Sequence, residues 1–174
     1  MRMRRLTRAL PYLVQCLVLA LASLLPAGNV QAAAESSLAV VINEIHFDPR
    51  WNTAGVEFVE LYNAGSAPVD LSGWSLAKGL DYVFPPGASL AAGGYALVAR
   101  NPSAMQQVYG VGAYGPAMGK LANEGETLLL RDRNGATIDE VAYQLGFPWP
   151  TPEDDVDQSI GLLDPQLDNR VPGA

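Results

Sequence analysis

The chain has 174 residues, with 18 acidic side chains, 11 basic ones and a formal net charge of −7. This length accommodates one domain and an appendage, and the acidic excess disfavours nucleic-acid binding because such a surface repels phosphate backbones. The only cysteine, Cys16, excludes a disulfide framework and a cysteine-based metal site within the chain.

Residues 1–32 have the three-part pattern of a secretory signal peptide. Four arginines precede an apolar run over residues 13–25, and small residues gather at residues 30–34. The pattern predicts cleavage after Ala32 or Ala34. A retained membrane anchor is the less favoured alternative, because the run is shorter than the ~18 apolar residues of a spanning helix.

Cleavage after Ala32 leaves residues 33–174 as the mature domain, without a stable membrane anchor. The domain keeps all 18 acidic residues and loses four of the 11 basic ones, which gives a net charge near −11. We therefore expect an exported, acidic protein, either extracellular or periplasmic. The acidic surface either attracts basic partners or cations, or only keeps the domain soluble.

The mature sequence reads as short strands separated by turns. The predicted strands cover residues 38–47, 56–62, 68–76, 81–84, 95–99, 125–131 and 136–143. Asn134-Gly135 predicts a hairpin between the last two, and one helical turn is expected within residues 103–108. The pattern predicts an all-β fold, an antiparallel β-sandwich of seven to nine strands.

Side chains alternate across the strand predicted at residues 56–62. Its odd-numbered residues include Glu57, Val59 and Leu61, and its even-numbered residues include Phe58 and Glu60. Neither set is wholly polar. We expect one face to lie in the main core and the other to be partly covered.

Several short sequence segments are similar to those of lamin-tail domains and occur in the same order along the chain. They are Ile42-Asn43-Glu44-Ile45, Glu57-Phe58-Val59-Glu60-Leu61-Tyr62-Asn63, Val69-Asp70-Leu71-Ser72-Gly73-Trp74-Ser75-Leu76, Phe84-Pro85, Ala92-Gly93-Gly94-Tyr95, Asn123-Glu124-Gly125-Glu126, Leu128-Leu129-Leu130, Asp139 to Tyr143 and Trp149-Pro150. The resemblance covers about residues 40–150, and residues 151–174 follow the family less completely.

Lamin-tail domains occur in nuclear lamins and in many exported bacterial proteins, and this chain resembles an exported bacterial member with a single stand-alone domain. The resemblance implies an immunoglobulin-like sandwich of two sheets. It does not imply an activity, because fold and function are separable.

Five polar residues on two predicted strands form a candidate binding cluster: Asn43, Glu44, Glu57, Glu60 and Asn63. Carboxylate and amide oxygens brought together can bind a cation or a partner. The alternative is that these side chains satisfy backbone groups at turns and strand edges.

A second candidate lies in the acidic tail, where Asp155, Asp157 and Ser159 have the alternate spacing of the first three ligands in a calcium loop. The twelfth position of such a loop is Gln166, which cannot replace the bidentate glutamate. Calcium is the one cofactor that the sequence suggests, and the alternative is a solvated acidic turn.

His46 is the only histidine, and no nucleophile or orienting carboxylate forms a recognisable arrangement with it, which favours a structural role. The sequence therefore predicts an exported, non-catalytic immunoglobulin-like module for protein binding, adhesion or scaffolding, with an unidentified protein or cell-surface partner. One alternative is a calcium-dependent binding module that uses the acidic tail. The other is a small secreted hydrolase.

Overall fold

Short runs with alternating apolar residues form the strands in the part of the chain that the computed structural model describes, residues 40–49, 55–149 and 158–172. These residues belong to one unit, Ala34–Ala174. The elements are β1 (Val40–Asp48), β2 (Phe58–Asn63), β3 (Val69–Asp70), β4 (Ser75–Ala77), β5 (Leu80–Val83), β6 (Ser89–Leu90), β7 (Tyr95–Ala99), helix α1 (Pro102–Val108), β8 (Met118–Gly119), β9 (Gly125–Arg131), β10 (Thr137–Gln144) and β11 (Gln158–Gly161). The predicted signal peptide lies outside the described residues.

The strands pair into two main antiparallel sheets. One sheet has four strands in the order β11-β1-β2-β7, and the other has five in the order β10-β9-β4-β5-β8, while β3 and β6 form a separate pair. The predicted all-β sandwich is confirmed. No helix among residues 40–49, 55–149 and 158–172 is long and apolar enough to cross a membrane.

Apolar side chains from both main sheets form a shared core. Val59 and Leu61 of β2 and Leu128 of β9 are all at most 1% exposed. The rings of Phe47 and Tyr143 stack between the two sheets with centroids 5.6 Å apart. Each large side chain buried in this way contributes about 1.5–3 kcal/mol to stability.

The predicted strands at residues 95–99 and 125–131 match β7 and β9. The region predicted at residues 68–76 divides into β3 and β4 because the chain bends at Gly73, whose φ is +75°. Three of the eleven described strands, β3, β6 and β8, have only two residues, too few to show alternation. The other eight agree with the predicted seven to nine.

A β-bulge in β1 determines which side chains reach the outside of the four-stranded sheet. Ile42 pairs with Leu61 and Glu44 pairs with Glu60, so β1 has one extra residue, Asn43, at this point. The bulge shifts the alternation of β1, and both Ile42 and Ile45 are buried in the core. It also places Asn43 and Glu44 beside Glu60.

Candidate functional site

The outer face of the four-stranded sheet carries three rows of side chains from β1, β2 and β7. Their register gives the rows Val41–Tyr62–Tyr95, Glu44–Glu60–Leu97 and His46–Phe58–Ala99. Helix α1 covers the third row, where Met105 packs against Phe58 and Ala99. Six residues remain in the other two rows, and we call five of them, Glu44, Glu60, Tyr62, Tyr95 and Leu97, the open face.

Two carboxylates lie directly opposite each other in the open face. Glu44 of β1 and Glu60 of β2 are cross-strand partners. The amide Nδ2 of Asn43 donates to Oε1 of Glu60 at 2.9 Å, and the hydroxyl of Ser159 donates to Oε1 of Glu44. Burial raises the pKa of Glu60 and the neighbouring charge of Glu44 raises it further, while the Asn43 hydrogen bond opposes both effects.

Like charges placed directly opposite on a sheet repel each other, so this pair is a local cost to stability. The ion pairs formed among the described residues join Arg100 to Glu57, Arg133 to Asp70 and Arg170 to Asp168. Within the described part of the chain, therefore, neither Glu44 nor Glu60 forms a salt bridge with a basic side chain.

Aromatic side chains flank the carboxylate pair on both sides. Tyr62 and Tyr95 lie on one side with ring centroids 4.7 Å apart, and Tyr95 is 58% exposed. On the other side, the His46 ring lies 5.0 Å from Phe58 and 5.9 Å from Tyr109. His46 is 4% exposed and packs among these rings, which agrees with the structural role that the sequence predicts for it.

The structure does not bring all five members of the predicted cluster together. Asn43, Glu44 and Glu60 meet on the outer face, whereas Glu57 and Asn63 are fully buried. The reason is strand alternation: Glu57 and Asn63 share the inward parity of Val59 and Leu61. Their side chains serve the alternative purpose, the satisfaction of backbone groups.

Glu57 illustrates that purpose. Its Oε2 atom accepts a hydrogen bond from the Leu121 backbone N–H at 3.3 Å and contacts Nη1 of Arg100 at 3.5 Å. The carboxylate thereby holds the segment before β9 against the start of β2. Burial raises the pKa of Glu57 above its ordinary value of 4.5, against the lowering effects of Leu121, Arg100 and Lys120.

The raised pKa of Glu57 predicts a pH effect on stability. The folded protein binds this proton more readily than the unfolded chain, so the contribution of Glu57 to stability should rise as the pH falls from neutral toward 4.5. Glutamine does not titrate, so the free energy of unfolding of the parent minus that of Glu57→Gln should increase over this range. Urea unfolding at several pH values measures the difference, in which the effects of other carboxylates cancel. A difference that stays constant or decreases on acidification contradicts the prediction.

A search against protein families matches residues 33–144 to the Lamin Tail Domain, more than half of the chain. The chain belongs to the lamin tail domain family. Lamin tail domains are immunoglobulin-like and non-catalytic, and they serve as protein-interaction modules. No curated protein matches the chain.

The match to the lamin tail domain ends at residue 144, the last residue of β10. Strand β11 lies beyond it, yet docks against β1: Ile160 pairs with Ile45, and the Leu162 N–H donates to the Asn43 carbonyl at 2.8 Å. Strand β11, which lies in the C-terminal tail beyond the family match, therefore completes the four-stranded sheet of this lamin tail domain and brings Ser159 to the carboxylate pair.

The predicted calcium ligands are only partly described in this lamin tail domain. Ser159 is exposed and bonded to Glu44, while Asp155 and Asp157 lie outside the described residues. Across residues 40–49, 55–149 and 158–172, no three His, Cys, Asp or Glu side chains gather in a group that could hold a metal ion. Calcium binding by the acidic tail stays a prediction.

Sequence reasoning missed the tyrosines of the open face. Tyr62 and Tyr95 face each other because β2 pairs with β7, and this pairing joins segments separated by four short strands. The available signal was the alternation of residues 95–99, which places Tyr95 and Leu97 on one face and Ala96 and Val98 on the other.

Proposed function

We propose that this lamin tail domain is an exported, non-catalytic module that binds another protein through the open face. The observation that carries the proposal is the composition of that face. It presents a pair of carboxylates and two tyrosines whose rings lie 4.7 Å apart, one of them more than half exposed, on one sheet. Tyrosines supply large contact areas at low entropic cost and are enriched in protein interfaces.

The chemistry around the carboxylate pair supports binding rather than catalysis. A nucleophilic serine needs a base that is itself oriented by a third group. The hydroxyl of Ser159 donates to Glu44, and the only histidine of the sequence, His46, is buried against Phe58 and Tyr109. A pair of hydrogen-bonded acids flanked by aromatic rings is better suited to recognition.

The sequence of residues 1–32 supports export, because its basic start, apolar run and small residues match the pattern of a secretory signal. Adhesion and scaffolding outside the cytoplasm both need such a module to contact a second protein. The open face provides the contact, and the partner is accordingly another exported or cell-surface protein.

Site-specific photo-crosslinking tests the proposal in the cells that produce the chain. The photoreactive residue p-benzoylphenylalanine replaces Tyr95 in the open face or, as the control, Val83 in the five-stranded sheet, which is 65% exposed. We expect a discrete covalent adduct from position 95 and little from position 83. Equal adduct yields at the two positions, or none at position 95, contradict the proposal.

A further inference from the structure

We propose that the open face recognises a cationic side chain, lysine or arginine, presented by an extended segment of the partner protein, with its charge bound by Glu44 and Glu60. This inference rests on the proposed function and specifies the chemistry of the partner. Three features of the face carry it: its unbalanced charge, its aromatic borders and its small number of acidic ligands.

The charge is the first argument. Glu44 and Glu60 face each other across neighbouring strands. The Glu44 carboxylate accepts one hydrogen bond from the neutral Ser159 side chain, and the Glu60 carboxylate accepts one from the neutral Asn43 side chain. Each carboxylate has a second oxygen to offer, since a carboxylate accepts several hydrogen bonds. A cation placed between the two would relieve their repulsion and form charge-assisted hydrogen bonds with both.

The aromatic borders are the second argument. A side chain that reaches the carboxylates from the tyrosine side must pass over the rings of Tyr62 and Tyr95. Aromatic faces attract guanidinium and ammonium groups, and they pack against the aliphatic stems of these side chains. On the other side, a groove of about 300 Å³ begins at Glu44 and Ser159 and is lined further on by Leu97 and Val111. This groove accommodates an apolar neighbour of the cationic residue.

The third argument distinguishes an organic cation from a metal ion. Calcium takes six to eight oxygen ligands, most of them supplied by the protein. The open face supplies two carboxylates, and within the described part of the chain no third acidic or histidine side chain completes a metal-binding group with them. Two carboxylates bordered by aromatic rings are sufficient for a guanidinium or ammonium group, which needs only a few acceptors.

Defined peptides test the inference directly. The probes are acetylated, amidated Thr-Val-X-Val-Thr peptides in which X is arginine, lysine or citrulline, the uncharged isostere of arginine. Binding to the chain is measured by two-dimensional NMR at low salt, where the screening of exposed charges is weak. We expect saturable shifts at the amides of Glu44, Glu60, Tyr62 and Tyr95 with the arginine and lysine peptides, and affinity about tenfold weaker with citrulline.

Two matched variants complete the test. The double variant Glu44→Gln/Glu60→Gln keeps the size and hydrogen bonding of the side chains and should weaken the arginine peptide about tenfold. Glu124→Gln removes an exposed carboxylate elsewhere on the surface and should leave the affinity unchanged. Unperturbed spectra of both variants establish that they are folded.

Several results would overturn the inference. Equal affinity for the arginine and citrulline peptides would remove the role of charge, and shifts confined to another surface would remove the role of the open face. Calcium alone shifting the same amides and displacing the peptide would assign the carboxylates to a metal. If position 95 forms adducts in cells while the peptides fail to bind, only this inference falls. If position 95 forms none, the proposed function falls with it.

Discussion

Replacing Asn63 by alanine is expected to lower the free energy of unfolding by about 4 kcal/mol, because one buried amide satisfies several backbone groups. Nδ2 of Asn63 donates to the carbonyls of Ala67, Leu90 and Ala91 at 2.9–3.1 Å, and Oδ1 accepts from the Gly65 N–H at 2.9 Å. The side chain is fully buried. Alanine removes all four hydrogen bonds, of which the bond to the Leu90 carbonyl is fully buried and the other three are partly buried.

Thermal or urea unfolding measures the effect of Asn63→Ala, for which a decrease of about 10 °C in the melting temperature corresponds to the expected loss. Asn63→Asp should be at least as unstable, because it keeps the acceptor but cannot donate to the three carbonyls. The matched control is Asn134→Ala in the exposed β9–β10 turn, where a change below about 0.5 kcal/mol is expected. A loss of less than about 1 kcal/mol for Asn63→Ala would contradict this account of the residue.

Replacing Asp139 by alanine should cost about 3 kcal/mol, because this carboxylate connects both main sheets and the C-terminal tail. Oδ2 of Asp139 in β10 accepts from the Ile42 N–H of β1 at 2.6 Å and from Nδ2 of Asn169 at 2.7 Å. Asn169 is 8% exposed and also donates to the Ile42 carbonyl at 3.3 Å. Alanine at position 139 leaves two donors without their acceptor.

Hydrogen exchange distinguishes this local effect from a general loss of stability. In Asp139→Ala, the amides of Ile160 and Leu162 should lose protection more than those of the β9 core, because the tail is held through Asn169. Asp168→Ala serves as the control from the same tail, since its ion pair with Arg170 is exposed, and it should change little. Uniform loss of protection across both sheets would show that Asp139 does not act on the tail in particular.

Much of the fold could be predicted because the longer strands and their turns have recognisable local sequence patterns. Residues 125–131 are rich in apolar residues, and Asn134-Gly135 lies in a turn where Gly135 has a φ of +83° and the Asp132 carboxylate accepts from two backbone N–H groups. Strands of two residues, such as β8, are too short to have a local sequence pattern, and they form only through pairing with a neighbouring strand.

The candidate site was less predictable because it depends on register. Alternation alone separates Glu60 from Glu57, but the meeting of Asn43, Glu44 and Glu60 requires the bulge in β1. The spacing of three between Ile42 and Ile45 is the trace of that bulge in the sequence. The contact between Ser159 and Glu44 joins residues 115 positions apart, and no local pattern specifies it.

The measurement that tests the central claim most directly is the yield of the position 95 adduct in cells when a single charge of the open face is reversed. Glu60→Lys places a cation where we propose that the partner's cation binds, and Glu124→Lys makes the same change on another exposed surface. The account predicts that Glu60→Lys abolishes the adduct and that Glu124→Lys preserves it. Equal yields in the two variants would contradict the assignment of the open face as the binding surface.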